Sequence, residues 1–151
     1  MDPLSIATGA KSVAGAGTKL AQSLRNYVET VNKADKWIEA LADQVKLTSA
    51  VLEDVGVLLR REEIHRLCTA DLLASISTAV DGCRGAFPRL QILVEALFEQ
   101  SKSAQVGLSA TARLSSSFSQ NELDNLRALL ERFRGSLDLA FAVLKLSSSP
   151  K

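Results

Sequence analysis

The sequence predicts an all-α bundle of four to five long amphipathic helices. Apolar residues recur at alternating spacings of three and four through four long segments, strand signals are absent, and Leu, Ala and Ser dominate the composition. Spacings of three and four put side chains on one helix face, whereas a half-buried strand needs period two. A Leu- and Ala-rich chain with few β-branched runs also has high helix propensity.

The first helix has a marked start. Asp2 is placed to act as N-cap, and Pro3 suits the first helical position, where its missing N–H costs nothing. Ala7, Ala10, Ala14, Gly17, Ala21, Leu24, Val28 and Val31 then form a small-residue stripe, flanked by Ile6, Val13, Leu20 and Tyr27 at heptad spacing. Small residues let a neighbouring helix approach closely, so the stripe predicts burial. Lys11, Lys19 and Arg25 lie on or beside the polar arc, so the helix is also an amphipathic cation-bearing element able to move to a membrane or a partner. Leu4, Ile6, Val13, Leu20 and Leu24, with Lys11, Lys19 and Arg25, are therefore the candidate switch or membrane-facing set. Burying Ala and Gly releases less transfer free energy than burying Leu and Phe, which predicts that this helix detaches and exchanges its amide hydrogens more readily than the last one.

A second helix is expected from about Asp35 to Arg60, with Asn32 or Asp35 as cap. Its seam is Trp37, Leu41, Val45, Thr48, Leu52, Val55 and Leu59, with Ile38, Val51 and Leu58 alongside. The mixed-charge run Arg60, Arg61, Glu62, Glu63, His65 and Arg66 reads as a solvated helix end or connection, with His65 on the surface. Thr69 caps a third helix with Asp71 in its first turn, where the helix dipole favours an anion. Its seam is Leu73, Ile76, Val80, Cys83, Phe87, Leu90, Val94 and Leu97, and Pro88 predicts a kink or short break without reversal, because the apolar phase continues past it.

Residues 101–118 read as a long connection with a helical turn near Arg113. The last helix opens on a capping box of Ser119 and Glu122, with Phe118 and Leu123 as hydrophobic staple. Leu123, Leu126, Leu130, Phe133, Leu137, Ala140 and Leu144 form its seam. Residues 1–146 are thus expected to form one bundle domain, and residues 147–151 the start of a Ser/Pro linker leading to a further module.

Composition narrows the function. With 18 basic and 17 acidic residues the net charge is +1, without the basic excess that nucleic-acid binding uses. Aromatics are 5% and scattered, which removes stacking platforms for single strands. Cys68 and Cys83 match no zinc or redox spacing and read as free thiols in a reducing compartment. The start carries Asp2 and no basic segment ahead of an apolar run, so no secretory signal is expected; nor is a membrane span, for want of about 18 consecutive apolar residues. The expectation is a cytoplasmic chain that meets a membrane only on activation.

Catalytic constellations fail in turn. His65 is the single histidine and has no Ser or Cys arranged beside it as nucleophile. Gly9, Gly15 and Gly17 lie in a helical pattern with no Gly-Lys-Ser/Thr following, so they cradle no phosphate. Glu62 and His65 show the Glu-x-x-His spacing of di-iron bundles, but that site needs the motif twice. Glu62–Glu63 and Asp35–Glu39 read as surface pairs. The expectation is no enzyme, no metal and no cofactor.

The opening Met1-Asp2-Pro3-Leu4-Ser5-Ile6-Ala7, followed by a small-residue helix, resembles the start of the N-terminal helical domain of fungal NLR-like STAND proteins. Leu41-x3-Val45-x2-Thr48-x3-Leu52 is similar to that domain's second helix, Cys83 to its mid-helix Cys, and Leu123–Leu144 to its final helix. Many relatives carry a Trp shortly after the middle connection, where residues 112–118 here have Phe118 and the chain's one Trp is Trp37. The resemblance implies a HeLo-related helical bundle ahead of nucleotide-binding or repeat domains. It implies signalling or assembly through protein contacts, self-association included, in programmed cell death. A second reading is a membrane-permeabilising effector using residues 4–31, and a third is a lipid or small-molecule carrier using the gap opened by Pro88 and the glycines.

Overall fold

The computed structural model of the chain describes residues 2–30, 36–102 and 120–148. Every element within them is helical: α1 (Pro3–Thr30), α2 (Lys36–Leu59), the single turn α3 (Glu62–His65), α4 (Ala70–Lys102) and α5 (Gln120–Ser148). The helix starts follow from side-chain chemistry. Asp2 Oδ1 accepts from the Leu4 N–H at 3.2 Å, and Thr69 Oγ1 accepts from the Leu72 N–H at 3.1 Å, each satisfying a donor that the first turn leaves orphaned. Glu122 Oε2 accepts from Arg89 Nη2 of α4 at 3.0 Å, while Ser119, Phe118, Asn32, Asp35 and Arg113 lie outside the described residues.

α1 packs on α2 and α4, and α5 packs on the same two, which sets α1 diagonally across from α5. Paired residues give the directions. Gly56 lies against Ala7 and Ala10 while Asp43 pairs with Arg25, so α1 and α2 are antiparallel. Gly9 lies against Arg84, Gly17 against Phe87, and Tyr27 against Phe98 edge-on with centroids 5.5 Å apart, so α1 and α4 run parallel. Gly82 lies under Phe133, and Arg89 meets Glu122, so α4 and α5 are antiparallel. One bundle core results, holding Leu24, Ile38, Leu52, Ile76, Leu93, Leu97, Leu130 and Leu137 with almost no exposure.

Among the described residues the seams expected from the three/four repeat are buried in all four long helices, save that Trp37, Phe133 and Val28 are half-buried at the margins; Val31 lies outside the described residues, as does the side chain of Leu123. α4 runs unbroken through Pro88, whose ring sits on the solvent side, so the apolar seam keeps its phase across the missing hydrogen bond. Helix ends reach further than the sequence suggests. Ser101 and Lys102 belong to α4, not to the connection, and Ser147 and Ser148 continue α5 past the expected boundary at 146.

The charged run after α2 needs correction. It forms α3, whose Ile64 is fully buried against the core, and His65 is half-buried instead of lying free on the surface. Its Nε2 lies 2.6 Å from the Leu59 carbonyl, and since a carbonyl only accepts, the ring donates from Nε2. That bond satisfies one of the carbonyls left without a donor at the end of α2.

Candidate functional site

The switch set divides between core and surface. Ile6, Val13, Leu20 and Leu24 are buried under α2 and α4, with Leu24 at 0% exposure. Leu4 is exposed, as are Lys11 and Lys19, and Arg25 pairs across to Asp43 of α2. The four buried apolar members thus lie on the face opposite the cations, with Leu4 on the outer side beside Lys11, and membrane contact by the buried four requires α1 to leave the bundle. Close approach holds it there. A Cβ at Gly17 would strike Ser49 Oγ of α2 and come 2.7 Å from the Phe87 ring of α4, and one at Gly56 would lie 3.3 Å from the Ala7 carbonyl.

Between α1 and α4 runs a surface groove of about 470 Å³. Val13, Ala16, Leu20, Phe87 and Pro88 give it an apolar wall, with Lys19 and Arg84 at its edges. Arg84 lies over α1 where Gly9 has no side chain, a Cβ there being only 2.7 Å from Nη2, and its Nη1 donates to Asp81 at 2.6 Å. The carrier reading placed a cavity beside Pro88, and the groove borders that residue from outside the core.

Both thiols are reduced. Burial pushes the Cys83 thiol up to about 12, and burial also raises that of the half-buried Cys68, so neither supplies a thiolate near neutral pH. No group of three or more His, Cys, Asp and Glu side chains comes together among the described residues, and Glu62 and His65 stand at the end of α2 with the latter committed to Leu59.

Among the described residues, α5 carries more exposed large apolar side chains than any other helix, a feature absent from the expected seams. Leu139 is 68% exposed, Leu146 78% and Val143 40%, against complete burial of Leu130 and Leu137 on the other side. At about 100° per residue, Gly135, Leu139, Ala142, Val143 and Leu146 fall within an arc of about 100°, facing away from the core seam. All but Ser136 at its edge are exposed, and none is charged. A legible signal existed. Eight of the ten residues from Leu137 to Leu146 are apolar, more than one buried face of a helix can take up.

No family model matches the chain, and neither a curated protein nor a solved structure matches it. Among the described residues no helix is long and apolar enough to cross a membrane.

Proposed function

We propose that this chain is a non-enzymatic signalling or assembly domain that works by helix-face contact with protein partners, as the resemblance to the N-terminal domains of fungal NLR-like STAND proteins implies. The observation that carries the reading is the uncharged C-terminal part of the outward face of α5, whose Leu139 and Leu146 are 68% and 78% exposed. A helix that is apolar on two sides has one side for its own core and a second for something else. The free thiols Cys68 and Cys83 favour a reducing, cytoplasmic setting, and nucleotide-binding or repeat domains belong after the bundle.

The test is the double variant Leu139→Asp with Leu146→Asp, made in the protein at its native length and in its own cells. Both side chains are exposed, so melting temperature and helical content hold. The assembly that the wild type forms, sized from lysate by native gel filtration, is lost. Assembly and signalling output that survive the double variant overturn the reading.

A second reading is membrane permeabilisation by a released α1, favoured by exposed Lys11 and Lys19 opposite the apolar Ile6, Val13, Leu20 and Leu24. It predicts dye leakage from anionic liposomes that falls when Lys11 and Lys19 become Glu. Leakage that is absent, or indifferent to those charges, removes it.

A further inference from the structure

We infer that the outward face of α5 docks antiparallel on the same face of a second copy of this chain. The inference rests on the reading of α5 as the contact face and names its partner. Two features of the face point to a second copy at one register. The first is size. Gly135 is exposed, with no atom within 4 Å of where its Cβ would stand, and Ala142 is exposed seven residues on. Leu139 and Leu146 project from the same arc. When two antiparallel helices are set so that position numbers in contact add to 281, Leu146 falls on the second copy's Gly135 and Leu139 on the second copy's Ala142. Each large residue then meets a small one, and a two-fold axis makes each pairing twice.

The second feature is charge. Asp138 and Lys145 lie on one flank of the arc, roughly 90° from its centre at about 100° per residue. In an antiparallel pair, like flank meets like flank, as at the charged positions that border a coiled-coil seam. Their numbers add to 283, two residues from the register set by size, an offset of about 3 Å along the axis that a lysine side chain spans. Asp138 therefore faces the second copy's Lys145, and the pair recurs by symmetry. Within the chain, Asp138 Oδ2 is 3.9 Å from Arg134 Nε, and Lys145 Nζ rests 5.8 Å from the centre of the Phe141 ring. A parallel arrangement brings opposite flanks together and loses both charge pairs. Further toward the N-terminus the outward arc becomes polar at Asn121, Asp124, Asn125 and Arg132, which confines the contact to the last three turns.

Sedimentation equilibrium of the 151-residue chain from about 10 μM to about 1 mM tests this, a range suited to a small interface. The wild type shows concentration-dependent dimers. Asp138→Lys and Lys145→Asp each weaken self-association at least about tenfold by setting like charges together, and their equimolar mixture restores dimers because each variant complements the other. Gly135→Leu fills the receiving hollow and abolishes dimers, while its melting temperature does not fall because nothing within the chain occupies that space. A wild type that stays monomeric throughout overturns the inference, as does a mixture no tighter than the single variants. If that happens while the Leu139/Leu146 double variant still loses its cellular assembly, the face serves a different protein and the functional reading stands. If the double variant also keeps its assembly, both fall.

Discussion

Two glycines two residues apart on α1 should respond to alanine with opposite signs. Gly15 is exposed and a Cβ built there meets nothing within 4 Å, so Gly15→Ala gains only the helix preference of alanine, about 0.5–1 kcal/mol. Gly17 starts with the same preference but is wedged between two helices. Its new methyl would overlap Ser49 Oγ and sit 2.7 and 3.1 Å from two Phe87 ring atoms, where carbon contacts want about 3.5–4.0 Å. Neither neighbour has room to yield, since Ser49 and Phe87 are each 3% exposed and Ser49 Oγ donates to the Val45 carbonyl at 2.8 Å. Overpacking of this kind costs about 1–3 kcal/mol, and disturbing the buried hydroxyl adds about 1 kcal/mol. Less the propensity gain, Gly17→Ala should destabilise by about 1–3 kcal/mol. Urea unfolding read at constant slope gives both values, and a melting scan should show Gly15→Ala up by about 1–4 °C and Gly17→Ala down. Equal stabilisation by both would refute the clamp on α1 between α2 and α4.

Truncating the fully buried Leu90 or Leu130 to Ala should cost about 2–5 kcal/mol, and unfolding midpoints that barely move would show the core assigned to the wrong faces. Cys83 should resist thiol reagents at pH 8 in the folded protein while Cys68 reacts slowly. Because its folded value of about 12 lies above that of an unfolded thiol, its contribution is complete below about pH 9 and is lost as pH rises toward 12. The stability gap between wild type and Cys83→Ala should therefore narrow by up to about 1.4 kcal/mol per pH unit above 9, and a constant gap would show the thiol is not held neutral. Hydrogen exchange of residues 4–25 should be no faster than that of residues 126–144, because α1 buries Leu20, Leu24 and Tyr27 between two helices while α5 leaves Leu139 and Leu146 outside. Faster exchange in α1 would restore the sequence-based expectation that it is the easiest helix to release.

Most of the core was legible because the three/four repeat is sustained for seven or eight turns, long enough for one register to prevail. Asp2 and Thr69 were legible as caps because a short polar side chain beside Pro3 or ahead of Asp71 has little other use. Ile64 and His65 were not, since a single helical turn carries no periodicity and four charged neighbours outweigh one Ile in any window. Helix ends at Lys102 and Ser148 escaped for a related reason: polar residues continue a helix without marking its face. The stripe at Leu139, Val143 and Leu146 was hidden by attention to one seam, since a reading that seeks a single buried arc assigns every nearby Leu to it. The balance in α1 was out of reach, because small residues predict both weak transfer energy and close packing, and only the neighbours of Gly17 and Gly56 show how close the packing is.

We propose that α5, not α1, presents the working surface. Photo-crosslinking in the native cell, with a reactive aromatic amino acid placed at Ala142 in one protein and at Ala16 in another, tests it most directly. Both positions are exposed, the first on the outward face of α5 and the second on the groove beside Lys19. Adducts of polypeptide mass from position 142, with none from position 16, are the predicted result. Adducts from position 16 alone, whether with protein or with lipid, would contradict it.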